Sequence, residues 1–138
     1  MGLGFVGNLL DVFRTRRRLI LNTSAAPSIA RRYVGEALDD LPRDIVEPVS
    51  LMVSELASNC VQHAETDFTV SIERTEREIR VDVADTGGGG VAPRDPQGTE
   101  ATGRGLRIVE QLSDAWGVTK PVGHDGSDVW FVVNLRSR

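Results

Sequence analysis

Three polar side chains recur at four-residue intervals in ELASNCVQH, a segment otherwise typical of a buried helix. Glu55, Asn59 and His63 fall on one stripe of the helical wheel, beside an apolar stripe that runs from Val49 to Ala64. Such a face can carry chemistry, and it can equally be the solvated side of the helix. The stripe predicts a site only if a second segment carries matching chemistry.

That second segment is VDVADTGGGG, in which a carboxylate ends a row of apolar side chains. Alternation along the predicted strand carries Asp85 onto the same face as Val81 and Val83. A carboxylate in that position needs hydrogen-bond donors, which a backbone cap, a buried water or a ligand can supply. The glycines at 87–90 permit close approach of the backbone to another molecule, or simply make a turn.

A third segment, TGRGLRIVEQL, predicts a helix that begins near Arg104, between Gly103 and Gly105. Unpaired N–H groups at a helix start, with a guanidinium beside them, form an anion site suited to phosphate. The stretch 91–102 between the two glycine motifs has the length of a lid. A dinucleotide fingerprint is excluded because the first glycine run does not open a helix, and a P-loop because Gly-Lys-Ser/Thr is absent.

Composition narrows the class of protein. The chain has 138 residues, 40% of them apolar, which suits one domain with a sizeable core. Its 20 acidic and 16 basic residues give a net charge of -4, which argues against direct binding of nucleic acid. The single cysteine, Cys60, excludes an internal disulfide and favours the cytoplasm. It lies on the apolar stripe and is interpreted as a core residue.

The chain opens with the apolar run MGLGFVGNLLDVF, followed by the basic cluster RTRRR. The charges stand on the wrong side for a secretory signal, and the run is shorter than the roughly 20 residues of a membrane span. We assign 1–16 to an N-terminal extension and 17–138 to the domain. The extension either touches a membrane or partner or, as we favour, is mobile or packed on the domain or on a second subunit of a possible homodimer.

Periodicity predicts helices at 27–41, 44–64 and 104–114, and strands at 18–22, 68–74, 78–85, 115–120 and 129–135. Pro27 and Pro48 are placed in first helical turns, since proline deeper in a helix breaks it. The strands 68–74 and 78–85 are expected to form a hairpin. This order favours an α+β two-layer sandwich, with a mixed, largely antiparallel sheet and its helices on one face.

The three segments together resemble a known superfamily. ELASNCVQHA resembles the N-box, DTGGG the first glycine box and TGRGL the second glycine box of the GHKL ATPases and kinases, which have the Bergerat fold. Order and spacing agree, and the resemblance covers roughly residues 17–135. Through RGLRIVEQLSDAWGV and VWF, the chain is most similar to bacterial anti-sigma-factor serine/threonine kinases. The resemblance implies binding of ATP with Mg²⁺.

The resemblance also implies roles for the matching residues. Glu55 corresponds to the general base that takes a proton from the attacking hydroxyl, and Asn59 to the residue that holds Mg²⁺ against the phosphates. Asp85 corresponds to the acid that binds the adenine amino group. The remaining cofactor-binding positions are Gly87, Gly89, Gly103, Arg104, Gly105 and Leu106.

Some positions depart from the family or stay without a role. Relatives often carry Lys-Thr or Thr-Thr before the last strand, where this chain has Ser127 and Asp128. We interpret this as an acid in place of a threonine that helps to hold adenine. His63 has no assigned chemistry. Trp130 is expected on the face of the last strand opposite its apolar neighbours, either in an interface or under adjacent strands.

The leading functional hypothesis is an ATP-binding anti-sigma factor and protein serine/threonine kinase. Its partners would be a sigma factor and the anti-sigma-factor antagonist that it phosphorylates. One alternative is a non-catalytic nucleotide-binding module that sequesters a partner, for which Glu55 is dispensable. The other is a detached histidine-kinase-like ATP-binding domain, which we disfavour because no phosphoacceptor helix pair is expected in a chain of this length.

Overall fold

The computed structural model describes residues 14–85, 99–120 and 126–135, and within the third helix it describes the side chains from Gly105 onward. Five strands, three helices and one π-helical turn make up this part of the chain. In chain order they are β1 (Arg14–Ile20), α1 (Ala26–Ala37), α2 (Arg43–Asn59), the π turn (Cys60–Ala64), β2 (Phe68–Arg74), β3 (Glu78–Asp85), α3 (Thr99–Leu112), β4 (Ala115–Thr119) and β5 (Asp128–Asn134).

The strands form one sheet in the order β1-β2-β3-β5-β4. Every strand pair in the described part is antiparallel, so no parallel pair of a mixed sheet is found there. The hairpin of β2 and β3 runs from the pair Phe68 and Asp85 to the pair Arg74 and Ile79. The predicted α+β sandwich is confirmed, and β1 and β4 are its edge strands.

The core lies between the helices and one face of the sheet. Every second side chain of β2 and β3 is buried, as the alternation of their sequences predicts. Each large apolar side chain removed from water contributes about 1.5–3 kcal/mol to this packing. The buried row of the sheet comprises Phe68, Val70, Ile72, Ile79, Val81, Val83, Phe131 and Val133. Facing it, the helices bury Val34, Val49, Met52, Val53, Leu56 and Val109.

Strand β1 is longer at its N-terminal end than predicted, because it begins at Arg14 and takes in the basic cluster. Backbone pairing with β2 holds it along its whole length, from Arg14 beside Arg74 to Ile20 beside Phe68. Ile20 is its one buried residue. An exposed strand held by backbone hydrogen bonds has no apolar alternation in its sequence, which is why the prediction of a strand at 18–22 leaves out residues 14–17.

Pro27 and Pro48 were both predicted in first helical turns, and only Pro27 lies in one. Pro27 stands in the first turn of α1, as expected. Pro48, in contrast, lies inside α2, beyond its first turn, and the helix continues through it. The missing N–H leaves the carbonyl of Asp44 without its helical donor, but Asp44 is exposed and water can take that place.

Several predicted features lie outside the described residues. They are the first part of the N-terminal extension, the glycines of the first box, including Gly87 and Gly89, and most of the stretch that we expected to form a lid. Among the helices that the structure does describe, none combines the length and the hydropathy needed to cross a bilayer.

Candidate functional site

A small cleft of about 60 Å³ opens where the C-terminal end of α2 meets the end of β3 and the residues that lead into β5. Its polar lining consists of Asn59, His63, Asp85 and Ser127. Its apolar lining consists of Leu56, Cys60, Ala64, Val83, Leu106 and Val129. Three predicted site residues, from three separate segments of the sequence, therefore meet in one place: Asn59, Asp85 and Leu106.

Asp85 is held in this cleft by Ser127. The Ser127 hydroxyl donates to Oδ2 of Asp85 at 3.0 Å, and its backbone N–H donates to Oδ1 at 3.3 Å. The N–H of Asp85 in turn donates to the Ser127 carbonyl at 3.0 Å. These donors meet the need that the sequence predicted for this carboxylate. An ionised carboxylate has about four acceptor positions, so the two donors of Ser127 do not by themselves fill it.

The interpretation of Ser127 and Asp128 from the sequence is wrong in one respect. We expected an acid in the place of a threonine hydroxyl, but Ser127 supplies a hydroxyl to the cleft. Asp128 stands beside Ala84 in the β3–β5 ladder, on the sheet face away from the helices. The alternation that buries Phe131 and Val133 in β5 already places residue 127 inward and residue 128 outward, and this signal could have identified Ser127.

On the face of the sheet away from the helices, Asp128 belongs to a small cluster with Arg80, Asp82 and Trp130. Arg80 lies over the ring of Trp130 at 4.6 Å from its centre and donates to Asp82 at 2.9 Å. Trp130 thus lies on the predicted face and is half-buried. Its ring lies over Gly117 of β4, where a Cβ would come within 2.7 Å of it. Burial, followed by the neighbouring Asp82 carboxyl, raises the pKa of Asp128 to about 7.

Replacing Asp128 should therefore change how stability depends on pH. A carboxyl whose pKa is raised from 3.8 to about 7 favours the folded state most below about pH 4, and this contribution is lost as pH rises toward 7. Asp128→Asn keeps a hydrogen-bond donor for Asp82 and does not titrate. We expect the variant to match the wild type near pH 4 and to be more stable by about 1 kcal/mol near pH 8, a value reduced from the full shift because solvent screens the group.

The measurement is urea denaturation at both pH values, with Asp39→Asn as a control for an exposed carboxyl outside the cluster. Equal pH dependence in Asp128→Asn and wild type would show that Asp128 does not hold a proton in the folded protein.

Asn59 of α2 lies directly against Gly105 of α3 at the cleft. A Cβ at position 105 would lie 2.5 Å from Nδ2 of Asn59, so only glycine leaves this carboxamide in place. Nδ2 itself is buried and has no hydrogen-bond partner in the described part of the chain. A buried donor without a partner is costly, and a ligand in the cleft would supply one.

Asn59 is the residue of the cleft that would hold a magnesium ion brought in by a phosphate-bearing ligand. Mg²⁺ prefers oxygen ligands and commonly takes one or two from the protein, with phosphate oxygens and water completing its shell. The carboxamide of Asn59 offers one such oxygen. The described residues contain no group of three or more His, Cys, Asp or Glu side chains that could hold a metal by themselves. The phosphates would therefore supply most of the ligands.

The π turn shapes the floor of the cleft. Helix α2 widens after Asn59, and the turn closes with a hydrogen bond of 2.7 Å from the N–H of Glu65 to the carbonyl of Cys60. Glu65 adopts a left-handed conformation with φ 56°, which ends the helix. Segments of π-helix are often found at functional sites. Here the turn places the exposed His63 on the lining of the cleft, while Cys60 is buried, as predicted for a core residue.

The start of α3 and the position of Glu55 differ from what the assigned roles require. Helix α3 begins at Thr99 rather than near Arg104, so the N–H groups of 103–105 lie inside the helix. The anion site at an unpaired helix start thus loses its basis, and the roles of Gly103 and Arg104 stay predictions. Glu55 is half-buried one turn before Asn59, and it is not among the residues that line the cleft.

The antiparallel sheet with helices on one face, and the polar cleft at its end, define an α+β two-layer sandwich domain with a candidate ligand site. The sequence of residues 21–133 matches the family described as the histidine kinase-like ATPase domain. The chain belongs to this family, which implies that it binds ATP. No curated protein sequence matches the chain at a significant level.

Two solved structures have a similar fold. The RsbU and RsbW domains of Rv1364c from Mycobacterium tuberculosis superpose with a TM-score of 0.66 at 16% identity, over 87% of this chain and 31% of that one. The present chain thus spans about a third of that structure. The SiaB–SiaC complex from Pseudomonas aeruginosa gives a TM-score of 0.57 at 11% identity, over 98% of both chains. At these identities the likeness concerns the fold alone.

Proposed function

We propose that this protein is an ATP-binding anti-sigma factor and a protein serine/threonine kinase that phosphorylates an anti-sigma-factor antagonist. The observation that carries the proposal is the cleft in which Asp85, clamped by Ser127, faces Asn59 across an apolar floor. The names of the two structural neighbours, RsbW and the SiaB–SiaC complex, support a protein partner. We place the protein and its sigma factor in the cytoplasm. The kinase domain is proposed at 17–138 from the sequence, and the structure adds Arg14–Arg16 to its sheet as the start of β1.

In this proposal, the adenine end of ATP lies against Asp85. The carboxylate, fixed by two donors from Ser127, accepts the amino N–H of adenine, and Val83 and Leu106 pack against the ring. The phosphates extend toward Asn59, and Gly103, Arg104 and Gly105 would bind the outer phosphates. Gly87 and Gly89 would permit close approach of the backbone to the adenine. A bound Mg²⁺ would neutralise phosphate charge.

The transfer step requires a base near the acceptor. Glu55 lies one turn before Asn59 on α2, and it would take the proton from a serine or threonine hydroxyl of the antagonist. The hydroxyl oxygen bonds to the γ-phosphorus as the bond to the β–γ bridging oxygen breaks, which leaves ADP and a phosphorylated antagonist. The protein contributes mainly by positioning and by electrostatic stabilisation.

One observation favours a second candidate, a non-catalytic nucleotide-binding module that sequesters its partner. Glu55 is not among the residues that line the cleft, whereas Asn59, Asp85 and Leu106, which are assigned to nucleotide binding, are. In this candidate, the protein binds ATP, and the base has no role.

A phosphotransfer assay tests the proposal. The protein is incubated with γ-labelled ATP, Mg²⁺ and antagonist candidates encoded by neighbouring genes. We expect label on a serine or threonine of one candidate, and no label when the metal is chelated. ATP binding without transfer to any candidate would contradict the kinase and leave the sequestering module.

Ser127 offers a direct test of the clamp. Ser127→Ala removes one donor to Asp85 and leaves the backbone N–H in place, so we expect ATP affinity to fall by about 1 kcal/mol, or roughly fivefold. Calorimetric titration measures the change. Thr119→Ala, on the exposed edge strand β4, is the control for loss of a hydroxyl elsewhere. An unchanged affinity in Ser127→Ala would mean that the hydroxyl does not position the carboxylate.

A further inference from the structure

The edge strand β1 concentrates positive charge on an otherwise acidic protein. Four of the five residues 14–18 are arginines, all exposed, although the net charge of the chain is -4. Strand β1 pairs with β2 on one side only, so its other side presents backbone N–H and C=O groups with no strand partner in the described part of the chain. Such an edge can accept a further strand.

A cleft of about 340 Å³ lies beside this edge, between β1 and the C-terminal end of α1. Its volume is within the range of pockets that take ligands or side chains. Its apolar floor includes Leu38 and Ile72, which are buried beneath it. Arg14 and Arg16 line it from β1, because alternation along the strand turns every second side chain toward the helices.

Of the three arginines that line the cleft, only Arg74 forms an ion pair with a described residue. Arg74 forms a two-point ion pair with Asp40, at 2.6 and 2.8 Å, and this partner lowers the pKa of Asp40 to about 2. Arg14 and Arg16 form no hydrogen bond or ion pair with any residue that the structure describes. The remaining acids of the lining are Glu36, in the last turn of α1, and Asp39, just after that helix, on the wall opposite β1. A segment paired with β1 would therefore lie next to two guanidinium groups without an ion pair, of which Arg14 acts on Asp40 only through space.

We propose that the free edge of β1 and this cleft together bind an acidic, extended segment of a partner protein, which adds to the sheet as a sixth strand. Main-chain hydrogen bonds to β1 supply affinity, and alternate acidic side chains of the segment enter the cleft beside Arg14 and Arg16. A bidentate contact between guanidinium and carboxylate gives each such side chain geometric selectivity. A second copy of this chain is disfavoured, since two arginine-rich edges repel each other.

This surface is separate from the nucleotide cleft. Asp85 and its partner Phe68 mark one end of the β2–β3 hairpin, while Arg14 and its partner Arg74 mark the other end. The distance along the strands is on the order of 20 Å, at about 3.3 Å per residue. The proposal does not depend on the kinase activity, and the cleft that takes the acidic side chains shares no lining residue with the nucleotide cleft.

The test selects peptides from a displayed random library, long enough to pair with all of β1, against the full chain. We expect enrichment of peptides with acidic residues at alternate positions. The double variant Arg14→Glu/Arg16→Glu should weaken the selected peptide at least tenfold, and Arg77→Glu, an exposed arginine of the β2–β3 turn, should leave its affinity unchanged. Methylating alternate backbone nitrogens of the peptide should abolish binding, because it removes strand donors without altering charge.

Three results would overturn the proposal. The first is a library that enriches no acidic peptide sensitive to Arg14→Glu/Arg16→Glu. The second is undiminished binding of the methylated peptide, which would indicate simple ion exchange. The third is that vesicles with anionic lipid bind the wild type and displace the peptide, in which case the basic strand serves a membrane surface. Unchanged urea denaturation of the double variant shows that any loss of binding does not reflect unfolding.

Discussion

Glu55→Ala is expected to retain most of its affinity for Mg·ATP while phosphotransfer to the antagonist falls by about 10²- to 10⁴-fold, the range for loss of a general base. Glu55 lies outside the lining of the cleft, so its removal leaves the nucleotide contacts of Asp85 and Asn59 in place. Single-turnover assays with saturating ATP separate the two effects, because they measure transfer after binding is complete.

Two further variants make the result specific. Glu55→Gln keeps the size of the side chain but cannot take a proton, so it should be as slow as Glu55→Ala. Glu47→Ala, near the exposed start of the same helix, removes a carboxylate whose surface ion pair with Arg43 contributes little, and it should transfer normally. Equal rates for Glu55→Ala and wild type would show that Glu55 is not the base.

Asp85→Asn is expected to weaken ATP by about 1.5–3 kcal/mol, or about 10- to 150-fold, as for a lost hydrogen bond to a charged group. The carboxamide can keep one acceptor for Ser127, but its NH₂ group faces either the Ser127 donors or the adenine amino group. The fold should persist, since Asp85 is half-exposed at the end of its strand. Calorimetry with ATP measures the loss, and urea denaturation checks the fold.

The matched control is Asp82→Asn on the same strand. Asp82 faces outward beside Arg80, away from the cleft, so this variant removes an equal charge without touching the nucleotide. If Asp85→Asn bound ATP as tightly as Asp82→Asn does, the adenine contact would have to lie elsewhere.

Periodicity was sufficient for the parts of the fold that bury one face of a strand. The bounds of β2 and β3 agree with those predicted from their alternation, and both strands lie in the middle of the sheet with a helix layer on one side. Alternation also placed Trp130 outward and Asp85 at the edge of the core. In these strands, the residues that alternate as apolar in the sequence are the ones that the helix layer buries.

Ser127, which holds Asp85, is not among the predicted site residues, and the reason is different. The family pattern has a threonine before the last strand, and we interpreted Asp128 as its replacement. The alternation of β5, extended back to residue 127, instead assigns the hydroxyl of Ser127 to the cleft. A local hydrogen-bonding role can pass between neighbouring residue types while the face of the strand stays fixed. Periodicity was here the better guide to the site.

Other features had no signal in the sequence that we read. The first residues of β1, 14–17, are held by backbone pairing and expose their arginines, so the sequence pattern predicts the strand only from residue 18. The π turn after Asn59 depends on one extra residue per turn and leaves the order of apolar and polar residues unchanged. Helix α3 extends to Thr99 through residues that favour helix, such as Glu100 and Ala101, although glycines follow them.

Parallel calorimetric titrations of the wild-type protein with Mg·ATP and Mg·GTP test the central claim most directly. If the clamped carboxylate of Asp85 accepts the amino N–H of adenine, ATP should bind and GTP should bind at least tenfold more weakly, because guanine presents a carbonyl oxygen at that position and two acceptors would face each other. Equal affinity for the two nucleotides, or no binding of either, would contradict the assignment of this cleft as an ATP site.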